Sequence, residues 1–325
     1  MFGTLRLLLA VLVAASHCGW STFGLNPGVV AVVVFYLLAG YVMQDQLVRY
    51  FPRAGDTPRF YLDRFLRLYP LYLFTLILTL ALVLTLEYQR SFLAQGLSAS
   101  ALAQNLLIIP LNYYMYTGID RATLIPPAWS LGAEIQFYLL APLLLRGPWR
   151  FWPAYGASSL IFLAAAAGLL DTDHWGYRLL PGVLFLFLTG ALLRAARLRH
   201  RAPPDAAHLA WLPRRVSSLL PVPLAVAGAA FLLARATGNL PTPYLREVLT
   251  GLLAGLVLIP LLERLPPRPW DLRLGYLAYA LFLAHFLPIF ALDALGGPAP
   301  GTPAHLALVL ASALALAELG WRLVD

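Results

Sequence analysis

LRLLLAVLVAASHCGW, residues 5–20, decides how the rest of the chain is read, because it sets an arginine and a histidine into an otherwise apolar helix. Eleven steps of 100° overshoot three turns by about 20°, so Arg6 and His17 share a helix face. They lie about 16.5 Å apart along the axis, which puts Arg6 at one surface of a bilayer and His17 beyond its midplane. An ionisable group at that depth is a functional-site candidate. The plainer reading is a histidine satisfied by a neighbouring backbone or hydroxyl group. The segment resembles a signal peptide, but only Arg6 precedes its apolar run and another span follows at once, so it reads as a retained helix.

Composition agrees with a membrane solvent. Of 325 residues 60% are hydrophobic and 12% charged, with a mean hydropathy of +0.74, whereas soluble domains carry roughly a quarter charged residues. The expected fold is all-α, a polytopic transmembrane bundle. All 23 basic residues are arginine, giving a permanent formal charge of +8 made of planar, phosphate-matching groups. In a membrane protein that sign is a topology signal, and no nucleic-acid partner is implied. The single Cys18 excludes an internal disulfide framework.

Apolar runs near 5–25, 27–43, 70–88, 129–146, 151–170, 178–196, 216–236, 244–264, 273–294 and 303–323 are long enough to cross a bilayer. An eleventh, ASALAQNLLIIPLNYYM at 99–115, is interrupted by Gln104, Asn105, Pro110 and Asn112. Arginine placement arbitrates, because short cytoplasmic loops carry the basic excess. If 99–115 does not cross, only Arg90, Arg121, Arg178, Arg235 and Arg246 lie outside, 5 against 18 inside; if it crosses, the split becomes 10 inside and 13 outside. Ten spans with both termini cytoplasmic is the expected topology. Residues 1–325 then form a single transmembrane domain in which 89–128 is one long external connection, with 99–115 lying on or dipping into the outer face. Connections of that length are commonly lids or substrate sites.

Two basic concentrations fall on the cytoplasmic side. RYFPRAGDTPRFYLDRFLRLYP contributes Arg49, Arg53, Arg59, Arg64 and Arg67, and RAARLRHRAPPDAAHLAWLPRR contributes six more. Orientation and attraction to anionic headgroups account for the second cluster. In the first, Arg64 and Arg67 are three apart on one face, with Tyr69-Pro70 at the membrane boundary. Such a pair of guanidiniums suits either headgroups or a phosphorylated ligand at the cytoplasmic mouth.

In PPAWSLGAEIQFYLLAPLLL, residues 126–145, Ser130 reads as a helix start, and Ser130, Glu134 and Tyr138 fall at i, i+4 and i+8 on one face. Glu134 is a carboxyl group inside an apolar span, costly unless paired or functional. It lies about 6 Å below the outer end of its helix and His17 about 18 Å up from the inner end, so the two differ by roughly one turn in a core of about 30 Å. A carboxylate beside an imidazole fixes its tautomer and raises its basicity, as a general base requires; alternatively Glu134 is a structural partner of a buried arginine or histidine. His285, in RLGYLAYALFLAHFLPIF, lies about 18 Å from Arg273, at the level of His17. These residues carry no zinc-ligand spacing, and no metal site is expected. Trp20, Trp129, Trp149, Trp152, Trp175 and Trp270 sit near span ends, the usual place for interfacial anchors.

Five stretches, LRLLLAVLVAASH, VFYLLAGYVM, RFLRLYPLY, PPAWSLGAEIQFYLLAPLLL and LGYLAYALFLAH, resemble in order the motifs of the acyltransferase 3 family of bacterial integral membrane enzymes. The specific ones are Arg6 with His17, and Trp129-Ser130-Leu131 with Glu134, Phe137 and Tyr138. The resemblance implies ten transmembrane helices in the bacterial cytoplasmic membrane, transfer of an acyl group from acyl-CoA to a hydroxyl of a cell-envelope glycan or secondary metabolite, and essential roles for Arg6 and His17. There are departures. Val33 and Ala39 stand where the family often has an aspartate and a serine, and Ala278 and Phe282 replace polar residues around Tyr279 and His285, so acceptor-binding roles do not carry over to those positions. Neither an appended soluble domain nor a second active site is expected.

Geometry then suggests a mechanism. The acyl-CoA phosphates would bind at Arg6, Arg64, Arg67 and Tyr69, with acyl-CoA, acetyl-CoA being the expected form, as co-substrate rather than a permanently bound cofactor. The thioester would reach His17, the general base oriented by Glu134, while Trp129, Ser130, Tyr138 or His285 contact the acceptor or the oxyanion. Transfer through an acyl-histidine is the covalent variant. Cys18 points about 100° away from His17 and reads as packing. A polytopic transporter or lipid-linked sugar flippase shares these features, but usually shows an internal repeat that this chain lacks.

Overall fold

The computed structural model describes residues 2–201, 218–266 and 268–324, and among these it is helical with no strand. In order the helices are α1 (Phe2–His17), α2 (Pro27–Arg49), α3 (Thr57–Thr85), α4 (Ala99–Leu107), α5 (Tyr114–Thr117), α6 (Ala128–Leu144), α7 (Pro148–Ala166), α8 (Leu180–Arg201), α9 (Pro221–Ala236), α10 (Leu245–Leu262), α11 (Pro269–Ala284), α12 (Phe286–Leu295) and α13 (Pro303–Val324). Each long apolar run of the sequence has its helix. Five, Pro27–Arg49, Ala54–Thr85, His174–Arg199, Leu245–Leu262 and Pro303–Val324, are long and apolar enough to cross a bilayer, and α11 with α12 makes a sixth if the bent pair spans as one; α1 and α9 are shorter. The protein is a multi-pass membrane protein.

Several helices depart from the sequence expectation. α3 begins at Thr57 rather than near 70, so Arg59, Arg64 and Arg67 ride on the same 29-residue helix as the apolar span, and Pro70 sits inside it. α6 begins at Ala128; Ser130 is inside it, its hydroxyl donating to the Pro127 carbonyl at 3.0 Å, and does not act as the helix start. Arg214 and Arg215 of the second basic cluster lie outside the described residues.

The chain divides into two compact units. The first comprises Met1–Val32, Phe65–Gly132 and Leu262–Asp325. Its spine is a parallel pair, α1 and α11. At the start of the pair the Asp271 carboxylate accepts from Gly3 N at 3.0 Å, Thr4 N at 2.8 Å and the Thr4 hydroxyl at 2.7 Å. Those amides belong to the first turn of α1, where no intrahelical acceptor exists, so Asp271 caps α1 from another helix. The backbones nearly touch: a Cβ on Gly3 would stand 1.6 Å from the Asp271 carbonyl oxygen. α13 joins the pair through Glu318, which accepts from Arg273 at 2.9 Å and Arg322 at 3.0 Å.

Residues 86–127 of this unit form a structured connection. Ser98 caps α4 by accepting from Ala101 N at 3.1 Å. The Asn105 side chain, fully buried, donates to the carbonyls of Ala101 and Ala122 at 2.9 Å each and accepts from Leu124 N at 2.9 Å. Ile108 then turns the chain with φ 64° and ψ −51°, a conformation costly for a β-branched residue. α4 has nine residues, about 13.5 Å, less than half the hydrocarbon thickness.

The second unit comprises Val33–Arg64 and Ala133–Leu261. Its spine is also parallel, α2 against α8. A Cβ on Gly40 would stand 1.7 Å from the Phe187 carbonyl oxygen, and one on Gly190 would stand 1.8 Å from that of Leu37. Small residues at such crossings are the usual means of close helix approach in lipid. Farther along, buried Arg194 donates through Nε at 2.8 Å and Nη2 at 2.6 Å to Asp45, and through Nη1 at 3.1 Å to the Tyr41 hydroxyl.

Candidate active site

The first unit's spine carries two histidines at its far end. Gly3 to His17 and Asp271 to His285 are fourteen residues each, about 21 Å of parallel helix from a common cap. His17 Nδ1 lies 3.0 Å from His285 Nε2. The rings are nearly parallel, with an interplanar angle of 15° and centroids 5.1 Å apart. His17 is exposed and His285 is fully buried.

His285 stands at a break in its helix. Pro288, three residues later, has no N–H and its ring crowds the carbonyl of Ala284, so the helix cannot continue straight. α11 and α12 therefore meet at 40° with His285 at the corner. Its Nδ1 faces the Leu281 carbonyl oxygen at 3.3 Å. A carbonyl only accepts, so Nδ1 of His285 carries the hydrogen. In the neutral ring Nε2 is then an acceptor, the hydrogen between the histidines belongs to His17 Nδ1, and His17 Nε2 carries no hydrogen. One backbone carbonyl thus sets both tautomers.

Apolar rings surround the pair. The Phe286 centroid is 4.8 Å from that of His17 and 5.0 Å from that of His285, with Phe92 at 5.4 Å behind Phe286. Cys18, next to His17, is fully buried and a free thiol.

Glu134 lies in the second unit. Its Oε1 accepts from the Tyr138 hydroxyl, so two of the three residues placed on one α6 face do meet at i, i+4. Glu134 is half-buried and Tyr138 buried. The group at His17 Nδ1 is His285. Ser130 spends its hydroxyl hydrogen on Pro127, and Trp129 beside it is half-buried.

The basic residues divide. Arg64 is buried, its Nε donating to Asp63 at 3.0 Å, while Arg67 is exposed, so these two do not present one solvent-facing pair of guanidiniums. Arg6 is half-buried on α1. The Tyr69 hydroxyl donates to the carbonyls of Leu106 and Leu107 at 3.3 and 3.5 Å, and that of Tyr72 to Asn105 at 2.6 Å, so both tyrosines hold the end of α4.

Residues 3–321 match the family model described as an acyltransferase domain. The chain belongs to the acyltransferase 3 family. Nodulation protein 10 of Rhizobium leguminosarum bv. viciae is 27% identical over 359 residues, covering 100% of this chain and 91% of that protein. Acyltransferase MdmB of Streptomyces mycarofaciens is 27% identical over 329 residues, 91% of this chain and 77% of that protein. An uncharacterised protein of Aquifex aeolicus (strain VF5) is 36% identical over 174 residues, 52% of this chain and 72% of that protein. No solved structure matches the chain.

Sequence reasoning about this acyltransferase missed Asp271 and the Leu281 carbonyl. The signal for Asp271 was a carboxylate in the first turn of an apolar helix, where it is expensive unless hydrogen-bonded. Pro288 three residues after His285 marked the bend.

Proposed function

We propose that the protein is a membrane O-acyltransferase in which His17 Nε2 is the general base for transfer of an acyl group, acetyl in the simplest case, from acyl-CoA to a hydroxyl of a cell-envelope glycan or other glycosylated acceptor. The observation that carries this reading is the chain from the Leu281 carbonyl through His285 to His17, which puts the ring hydrogen of His17 on Nδ1 and makes Nε2 the atom that takes a proton. The acceptor hydroxyl gives its proton to Nε2 as its oxygen attacks the thioester carbonyl. The tetrahedral intermediate then expels the CoA thiolate, which takes the proton back. While His17 is charged, the lone pair of His285 Nε2 faces its Nδ1 hydrogen, and His285 is a positioning residue. Glu134, with Tyr138, is the further acidic group assigned to the reaction, and Trp129, Ser130 and Tyr138 to the acceptor or oxyanion.

The donor belongs on the cytoplasmic side of a bacterial inner membrane, with Arg67, Arg6 and Arg64 as cations for its phosphates; Arg64 must leave Asp63 to serve. The topology is ten spans, namely α1, α2, α3, α6 to α10, α11 with α12, and α13, with both termini inside and α4 and α5 in an outer connection that does not cross. Two facts support it. The arginine distribution favours it, and α1 runs parallel to α11 and α2 to α8, as first and ninth or second and sixth spans must.

The test is CoA release from acetyl-CoA by the purified protein in proteoliposomes, with mass spectrometry of envelope glycans from cells with and without it. Release that requires His17, together with a mass increment of one acyl group, is expected. Movement of a glycan across the bilayer with no CoA release would favour a transporter and contradict the reading.

A further inference from the structure

The corner at which His285 stands is not held by its own backbone alone. Pro288 has no hydrogen to give across the junction of α11 and α12, and α12 is only ten residues long, ending at Gly296 with φ 71°. The angle between the two helices, and with it the place of the His285 ring, therefore depends on what packs against α12: α13 and the stretch that follows α3. Phe286, Phe290 and Asp293 fall at i, i+4 and i+7 and share one face of α12. Along that face Phe92 meets Phe286 with ring centroids 5.4 Å apart, and Tyr88 meets Phe290 at 5.1 Å. The Tyr88 hydroxyl donates to Asp293 Oδ2 at 2.7 Å. Tyr88 is buried although it belongs to no helix.

This strap, residues 87–96, is held at a conformational cost. Glu87 has φ 48° and Ser91 has φ 50°, left-handed backbone that residues with a Cβ keep only when their surroundings enforce it. The enforcing contacts lie on two sides. On one, Phe92 O accepts from Thr123 N at 2.9 Å and Gln95 N donates to Arg121 O at 3.0 Å, beside the Ala122 carbonyl and Leu124 amide that Asn105 clamps. On the other is α12. Glu87 and Ser91 bracket the residues that reach Asp293, which is eight residues past His285 and about 12 Å along the helix. Arg90 Nη1 also stands 3.9 Å from Asp293 Oδ1, but these side chains are 67% and 48% exposed, so the ion pair adds little and the Tyr88 hydroxyl makes the fastening.

We infer that Tyr88 and Asp293 are positioning residues whose hydrogen bond fixes the bend of α12 and so holds His285 Nε2 at His17 Nδ1. Without that bond α12 swings about its corner. The Phe286 ring, which lies against both imidazoles, moves with it, and the two histidines no longer keep one distance. The outer connection thus acts through a helix angle, with no contact to substrate required. That this changes acyl transfer rests on the proposed reaction; the effect on the histidine pair does not.

The test is nitrogen NMR of histidine-labelled protein in lipid nanodiscs, together with kcat and KM for CoA release from acetyl-CoA. Tyr88→Phe keeps the ring on Phe290 and loses only the hydroxyl. It lowers kcat about tenfold with KM unchanged, and it splits the His17 signals between the two tautomers. Asp293→Ala, at a half-exposed position that tolerates truncation, does the same, and the double variant is no worse than either alone, because the two groups make one bond. Asp293→Asn keeps an oxygen for the Tyr88 hydroxyl and returns both readouts to near the wild type; Arg90→Ala changes neither. A structural role alone would lower the melting temperature and leave His17 in one tautomer with the kcat of the folded protein unchanged. That result, additive losses in the double variant, or a wild type in which His17 already shows both tautomers overturns the inference. A wild type with one tautomer that releases no CoA contradicts the proposed reaction instead, and the NMR of Tyr88→Phe against wild type still decides the positioning.

Discussion

The two units are each organised on a pair of parallel helices in glycine-mediated contact, but the pairs are fastened by different groups. α1 and α11 are joined by a carboxylate that caps backbone amides and, about 21 Å away, by a hydrogen bond between two imidazoles. α2 and α8 are joined by an ion pair of buried Arg194 with half-buried Asp45, which also takes exposed Arg49. The first fastening puts an imidazole nitrogen without hydrogen on exposed His17, and the second draws Arg194 and Arg49 onto one carboxylate. The difference teaches that close helix approach is a general device here, whereas reactivity depends on which groups the approach brings together and which of their atoms can take a proton.

The largest expected effect is on the first pair. His17→Ala removes the proposed base and should lower acyl transfer by about 10²–10⁴-fold, while leaving Nε2 of buried His285 without its donor at a cost of about 1–3 kcal/mol in stability. Asp45→Ala should do the reverse: it strands Arg194 in the interior at a cost of about 3–5 kcal/mol, seen as a large fall in thermal stability of the solubilised protein. Asp45→Leu with Arg194→Met should recover most of that loss, because a buried ion pair can often be replaced by packed apolar side chains. If the double replacement instead remained as unstable as Asp45→Ala, the ion pair would be doing more than fastening α2 to α8.

Gly190→Ala sets a methyl group 1.8 Å from the Leu37 carbonyl oxygen, forcing α2 and α8 apart for about 1–3 kcal/mol. Gly3→Ala, with 1.6 Å to the Asp271 carbonyl, should cost a similar amount but also lower acyl transfer, because it shifts α1 against α11 and hence His17 against His285. Melting curves and CoA release measured on both variants separate the two pairs. The smallest effect is Asp271→Ala, which removes the cap and should cost about 1 kcal/mol, read as a few degrees in the melting curve with activity largely kept.

Much of this was legible in the sequence and some was not, for reasons that differ by residue. The apolar runs mark the helices because lipid admits little else, and Arg6, His17 and His285 stand out because charge and imidazole are expensive there. Depth along a helix is also readable, and it correctly put His17 and His285 on one level. What depth does not give is azimuth. Glu134 and His285 were both candidates for the neighbour of His17, and only the contact between helices 268 positions apart in sequence shows His285 at Nδ1. The start of α3 was misplaced because Arg59, Asp63, Arg64 and Arg67 lower the apolar average of a helix that is continuous. Tyr69 looked like part of the arginine-lined mouth, yet its hydroxyl is tied to α4, a contact set by the return of the chain rather than by any local pattern.

The most direct measurement is the protonation of the two imidazoles, read by nitrogen NMR of histidine-labelled protein in nanodiscs at neutral pH. The account predicts that His17 carries its hydrogen on Nδ1 with Nε2 bare, and that His285 likewise carries its hydrogen on Nδ1. Hydrogen found on His17 Nε2 would remove the lone pair on which the proposed reaction depends and contradict the account.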